Sequence, residues 1–336
     1  MSTFMKGRTT ITQRVESVNS LEFPTITICI DPATKLSVAK KYGFESHNDK
    51  FYKDVPNKTL PEIFNEITYG LDQDFNLFNY NGQKINLGLN EIDAYFSSAK
   101  MQFQVDTIKT YNSGACIKLE PRSEMTSLSY RFRLSIQLSP TIDTEDSIDS
   151  ILFIFTSNMS WINFPENSWP QYKPLKVRVN VIKEYTHLVL QKEEEYFMDG
   201  KGSSAACLKT LIESQNCSHS CWTTTVPGVP YCKTAQEHIC QFERIWGTQE
   251  YLDCYRTKKA TYYSLIDRVE NPYHKDKNTM KTDVYIGVKS MKKVIKEEVL
   301  VLTLQDLIGS VGGSLGLFFG FSFSAVLFSV LNKTFE

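Results

Sequence analysis

The first 20 residues contain no apolar leader core and no stretch long enough to span a membrane, so a conventional signal peptide is excluded there. No long run of either charge occurs: 37 basic and 38 acidic residues leave a net charge of −1. Without a basic patch, nothing points to nucleic acid as a partner. No glycine-rich phosphate loop follows a strand, and the 5 histidines, at 47, 187, 219, 238 and 274, stand in no nucleophile motif. Neither an enzyme nor a bound cofactor is expected. Tight C-x2-C knuckles are also missing, which weakens any reading of the cysteines as zinc ligands.

Charge is lacking most conspicuously near the C-terminus. Residues 304–331 read LQDLIGSVGGSLGLFFGFSFSAVLFSVL, and the 26 residues 307–332 carry no charge. As a helix they would extend roughly 39 Å, enough to cross a hydrocarbon core of about 30 Å with some tilt. Buried core helices rarely stay uncharged for so long, so this segment is expected to span a lipid bilayer. It is also rich in glycine: Gly309, Gly312, Gly313, Gly316 and Gly320 are 5 of the chain's 16. Gly312, Gly316 and Gly320 stand four apart on one ridge, which Ser324 continues. Each glycine costs a helix about 1 kcal/mol relative to alanine, so the ridge predicts close packing against another helix.

There are 8 cysteines, Cys29, Cys116, Cys207, Cys217, Cys221, Cys232, Cys240 and Cys254, the last 6 crowded together. Sequons stand at Asn57, Asn158 and Asn216, with a fourth, Asn332, at the membrane exit. An even cysteine count with sequons predicts an oxidising, extracellular body. Two readings of the cluster remain open: a zinc site using His219 and His238 with cysteines, or a ladder of disulfides stapling two helices. The absent knuckles favour the ladder. Lys289, Lys292, Lys293 and Lys296 precede the apolar segment and only Lys333 follows it, a weak pull toward a cytosolic body. The cysteines outweigh it, and together they imply that a membrane-targeting segment lies upstream of this sequence.

Strand patterns dominate the body. Residues 25–30 form a β-branched run after Phe23-Pro24, and residues 101–105 and 115–119 are short candidates. Residues 129–138 alternate apolar and polar side chains, residues 150–156 (SILFIFT) read as a central buried strand, and Leu175, Val177, Val179 and Val181 alternate again. Residues 187–190 are expected to return antiparallel to that last run. The acidic run Glu193, Glu194, Glu195 reads as a solvated edge or loop. Helices are expected over 61–68, with Thr59 as N-cap, and over 205–214 and 234–246, with a turn at 225–230. Residues 283–288 read as a strand, and 294–306 as the lead into the membrane helix.

Four landmarks, in order, resemble the degenerin/epithelial sodium channel family. Residues 21–29 (LEFPTITIC) resemble the FPAVTIC-type strand after the family's first transmembrane helix. Residues 114–116 resemble the cysteine-bearing strand that bridges back to it. Residues 230–240 (PYCKTAQEHIC) resemble a PYC-x7-C stretch in the family's thumb domain, and residues 309–322 its GDIGGxxGLFxGxS pore-helix signature. The resemblance implies disulfides Cys29–Cys116, Cys207–Cys254, Cys217–Cys240 and Cys221–Cys232, although the family's further partners near Leu252 and Lys258 are absent here.

The implied fold is α+β: a β-rich, disulfide-stapled extracellular domain of palm, β-ball, finger and thumb type, followed by one C-terminal transmembrane pore helix. The expected divisions are 1–20 as a remnant after a missing first transmembrane helix, 21–200 as palm and finger, and 201–260 as thumb. Residues 261–303 would form return strands and wrist, 304–331 the pore helix and 332–336 a cytoplasmic stub. The implied function is a subunit of a homo- or heterotrimeric, amiloride-sensitive, sodium-selective channel in the plasma membrane, with Na⁺ as the permeant ion. Gly320-Phe321-Ser322 matches the selectivity filter, and Gly309 the small residue near the gate. Phe321 departs from a usually small filter residue, and Phe328 and Ser310 stand where the family pattern has acidic ones. Three phenylalanines in a homotrimeric filter would obstruct hydrated cations, whereas a mixed trimer with one such subunit leaves more room. The competing readings are a single-pass, disulfide-rich receptor or adhesion protein dimerising through its glycine ridge, and a cytosolic zinc-binding, tail-anchored protein.

Overall fold

The computed structural model describes residues 9–45, 55, 57–70, 75–78, 84, 91–95, 100–110, 114–126, 131–138, 146, 148, 150–156, 175–178, 183–198, 204–222, 226, 228–245, 248–255, 258–272 and 281–300. In chain order the strands begin with β1 (Thr9–Ser17), β2 (Leu21–Glu22) and β3 (Thr25–Asp31). Helix α1 (Leu36–Ala39), a 3-10 turn (Lys40–Tyr42) and helix α2 (Leu60–Ile67) follow. Next come β4 (Phe75–Phe78), β5 (Glu91–Tyr95), β6 (Lys100–Thr110), β7 (Gly114–Pro121), β8 (Glu124–Met125), β9 (Arg131–Leu138), β10 (Ser150–Thr156), β11 (Leu175–Arg178) and β12 (Lys183–Tyr196). Helices α3 (Ser204–Glu213), α4 (Ala235–Ile245) and α5 (Gln249–Tyr255) lead into β13 (Lys259–Pro272) and β14 (Lys281–Leu300).

Among the described residues, 12 strands share one sheet, ordered β4-β9-β14-β12-β13-β10-β3-β7-β6-β5, with β1 on β14 and β11 on β10. The strand pairings described within it are antiparallel, as expected for a β-rich body. Strand β3 shows why the Phe-Pro motif leads so apolar a run. Ile26, Ile28 and Ile30 enter the main core with Phe23, while Cys29 joins Cys116, Leu152 and Ile154 in a second cluster. A strand packed in both clusters has no wet face, so it reads as continuous apolar sequence. Phe23 meets Phe103 edge-on at 5.9 Å between ring centroids, and Phe103 lies 4.9 Å from Phe132. These contacts bring three distant segments together around one aromatic cluster.

Gly114 starts β7 at φ +68°, and a Cβ there would stand 2.8 Å from the carbonyl oxygen of Ala33. Glycine is required on both counts. Helix α2 begins as expected: Thr59 and Glu62 form a capping box, with Thr59 N–H donating to the Glu62 carboxylate at 2.7 Å. Its buried face of Leu60, Ile63, Phe64 and Ile67 packs with Ala39 and Phe44. The carboxylate of Asp146 accepts the Ser37 N–H at 2.8 Å, which fixes α1 near the entry to β10.

Three expectations fail. Residues 187–190 do not return against 175–178: β11 pairs with β10, and β12 pairs with β13 over its whole length, from Lys183↔Pro272 to Tyr196↔Lys259. The acidic run is neither an edge nor a loop. Glu193 and Glu194 lie inside β12, 9% and 5% exposed, because hydroxyl and lysine partners on neighbouring strands satisfy them. Strand β14 also continues as strand to Leu300 instead of ending near 288.

The chain divides into two compact units. Residues 14–295 hold the cores and helices just described. The other unit comprises residues 1–13 and 296–336; within it the Thr12 hydroxyl donates to the Glu297 carbonyl at 3.3 Å. The expected membrane segment 304–331 lies outside the described residues, as does Asn158. Among the described residues no helix is long and apolar enough to cross a membrane.

Candidate functional site

The helical insert between β12 and β13 is held by three nested disulfides. Cys207–Cys254 joins α3 to α5, Cys217–Cys240 joins the loop after α3 to α4, and Cys221–Cys232 closes the loop between them. With Cys29–Cys116 across facing residues of β3 and β7, all 8 cysteines are bridged in the pairing that the resemblance implies. No thiol is left for zinc, and among the described residues no group of side chains is arranged to hold a metal. Inside the insert, Trp222 and Tyr251 pack with Leu208, Ile212, Val226 and Ile245 as a core of its own. Helix α4 carries a second capping box: Glu237 N–H donates to the Thr234 hydroxyl at 3.2 Å, and Thr234 N–H returns to the Glu237 carboxylate at 3.2 Å. Apolar packing and cross-links together make this insert a stiff body.

The insert stands at the end of the β12–β13 hairpin, and β12 neighbours β14 in the sheet. At the base of the insert the misread acidic run forms a polar belt. The Tyr262 hydroxyl lies 2.9 Å from one Glu193 carboxylate oxygen and 2.6 Å from one of Glu195, while the Ser264 hydroxyl donates to Glu193. One phenolic proton serves only one carboxylate at a time, so the hydroxyl of Ser264 shares the task. Burial, then Glu195 and Glu193, push the Tyr262 phenol far above its usual range. It stays protonated.

Glu194 points the other way and gathers cations. Its carboxylate accepts the Tyr196 hydroxyl at 2.9 Å, and lies 3.5 Å from the Lys259 ammonium and 3.3 Å from that of Lys293. Lys293 in turn reaches Glu16 on β1 at 3.4 Å. Burial works against the Glu194 charge, but Tyr196, Lys259 and Lys293 outweigh it and hold the carboxyl below its ordinary range. Burial likewise opposes the charge of Lys293, and Glu194 and Glu16 together raise it. The belt therefore ties β1, β12, β13 and β14 together electrostatically around the buried Glu194 carboxylate, with its partners reaching in from more exposed positions. What it offers chemically is a set of ion pairs and hydrogen bonds that join neighbouring strands.

Sequence reasoning missed this joint because the partners of Glu194 lie 65 and 99 residues further on, at Lys259 and Lys293. The one available signal was the neighbouring pair Lys292-Lys293 in a strand-like stretch. Of the other residues singled out from sequence, Asn57 and Asn216 stand exposed. The pore-helix positions Gly309, Gly312, Gly313, Gly316, Gly320, Phe321 and Ser322 lie outside the described residues.

No curated protein matches the chain. Among solved structures, a cryo-EM structure of a proton-activated chloride channel is similar at 7% identity and a TM-score of 0.39, over 98% of this chain and 86% of that one. The family model described as amiloride-sensitive sodium channel matches residues 3–327, nearly the whole sequence. The chain belongs to the amiloride-sensitive sodium channel family.

Proposed function

We propose that this chain is a subunit of a trimeric, sodium-selective, amiloride-sensitive channel of the plasma membrane. Its body faces the extracellular side and its C-terminus the cytoplasm. The observation that carries this reading is connectivity. A disulfide-stiffened helical insert, the thumb, sits on a hairpin whose strand β12 adjoins β14, and the sequence after β14 is the uncharged, glycine-ridged stretch 304–331. Movement of the thumb then has a stiff path, through the Glu194–Lys293 joint, into β14. In that helix Gly320, Phe321 and Ser322 form the filter, and Gly309, Gly312, Gly313 and Gly316 let three helices approach a common axis. Residues 21–200 serve as palm and finger, 201–260 as thumb and 261–303 as wrist.

Phe321 makes the heterotrimer the better conducting assembly, since three benzyl groups around one axis close the path to a hydrated ion. Voltage-clamp recording tests this in cells expressing the complete gene, alone and with related subunits. An amiloride-blocked Na⁺ current is expected in the mixed case. Silence in every combination, together with cross-linked dimers and no trimers in native membranes, would instead favour a single-pass receptor dimerising through the glycine ridge.

A further inference from the structure

The two described sequons differ in what surrounds them. Asn57 is exposed in a turn at φ +64°, one of the few non-glycine residues that tolerate such backbone, and a hydrogen bond from Lys58 N–H to the Val55 carbonyl closes that turn. On its C-terminal side the capping box holds Thr59, and Leu60 N–H donates to the Lys233 carbonyl at 2.8 Å. Asn57 thus projects outward where helix α2 meets the thumb. Asn216 is exposed as well, but its sequon is Asn216-Cys217-Ser218, and Cys217 is bridged to Cys240. Once folded, that segment is pinned to α4: Arg244 donates to the Asn216 carbonyl at 3.3 Å, and Gln241 to the His219 carbonyl at 3.1 Å.

We propose that Asn57 and Asn216 both carry N-linked glycans, and that glycan addition at Asn216 competes with closure of the Cys217–Cys240 disulfide. The inference rests on the extracellular reading above. The donor is a lipid-linked oligosaccharyl diphosphate. The side-chain amide nitrogen bonds to the anomeric carbon of its first sugar, the bond from that carbon to the diphosphate oxygen breaks, and the lipid diphosphate leaves with the electron pair while the amide gives up one proton. Addition needs an accessible, flexible sequon. Asn57 keeps a local, disulfide-free surrounding, whereas Asn216 becomes tied to α4 as soon as Cys217 is oxidised. Occupancy is therefore complete at Asn57 and partial at Asn216. A glycan at either position also keeps that surface out of any subunit interface, so the outer side of the α2–thumb junction faces solvent in the assembly.

The test is expression of the full chain in animal cells, with peptide:N-glycosidase digestion and site occupancy read from the masses of the tryptic peptides. N57Q is expected to remove one glycan from nearly every molecule, T59A to do the same with the asparagine retained, and N216Q to remove one from a fraction. C240S should raise Asn216 occupancy on the order of twofold, because disulfide closure takes seconds or longer and no longer intervenes. Since glycan addition precedes final folding, these readouts survive a variant that folds poorly. Unmodified Asn57 and Asn216 in protein with no free thiols would overturn the proposal and leave the extracellular reading standing. Unmodified asparagines with all 8 cysteines free would remove the extracellular reading itself and the proposal with it. Unchanged Asn216 occupancy in C240S would overturn the competition.

Discussion

Glu194 shows how one side chain decides whether a buried charge stabilises or costs. Its carboxylate is almost dry, yet two ammonium groups and a phenol surround it. E194Q keeps the shape but leaves Lys259 and Lys293 facing a neutral amide; the expected loss at neutral pH is about 1–3 kcal/mol, because both lysines are partly exposed and can rehydrate. The pH dependence has a defined sign. A carboxyl held below its ordinary value of 4.5 contributes stability that is complete above that value and disappears as pH falls through the lowered folded value. Thermal melts should therefore decline more steeply on the acid side in the wild type than in E194Q, and parallel acid limbs would refute the role given to Glu194. Gly114 makes the complementary case for the backbone. G114A places a methyl against the Ala33 carbonyl in a left-handed turn, at an expected cost of about 1–3 kcal/mol read from denaturant midpoints. Gly114 was legible as part of a family landmark, but its reason was not, since Ala33 lies far off in sequence. Glu194 was misread outright, because local composition assigns three consecutive glutamates to water and only the fold brings the lysines that retain them.

Elements were legible in proportion to how far their sequence reports a single environment. Strands β3, β9 and β10 read correctly because continuous burial or strict alternation leaves a clear pattern. Helix α2 read correctly because Thr59, Pro61 and Glu62 mark its start. Strand β13 was expected only as part of the return strands over 261–303 and not from its own pattern: in KATYYSLIDRVENP, buried Tyr262 and Tyr263 are followed by exposed Leu265, Ile266 and Val269, so the period is broken along its length. A register shift against β12 at Val189/Leu190 adds to the irregularity. The short helix α5 has too few residues to show a period, and it depends on Cys254 and on Tyr251 packing with Trp222. That dependence is testable. Replacing Cys207 and Cys254 together with serine opens a bridge spanning 47 residues, worth about 4 kcal/mol by loop entropy alone and less with the other two bridges intact. The helical insert has its own apolar core, so it should melt ahead of the sheet and split one transition into two. Hydrogen exchange should quicken in α3 and α5 while β3 and β7 stay protected. Uniform quickening across the sheet would show that the thumb is not a separate cooperative body.

At the scale of the molecule, the proposed extracellular lever is useful only if the pore it acts on can open. In the proposed channel Phe321 is the obstacle. A filter made of backbone carbonyls and Ser322 offers oxygen ligands in place of an ion's water, but an aromatic side chain at its centre supplies bulk without a ligand. Three copies meet at the axis of a homotrimer, and one copy meets two smaller neighbours in a mixed trimer. F321S should therefore convert a silent homotrimer into one with measurable, amiloride-blocked Na⁺ current, and should enlarge the current of mixed trimers by a smaller factor, since a mixed trimer holds only one such obstruction to begin with. Surface biotinylation should be unchanged, separating conduction from assembly. The ordering matters more than either value. If F321S homotrimers reach the surface and stay silent, the closure lies elsewhere on the pore helix, and Phe328, where the family pattern carries an acid, becomes the residue to replace. If wild-type homotrimers already conduct as well as F321S, residue 321 does not face the ion path, and the register that places Gly320-Phe321-Ser322 at the filter is wrong.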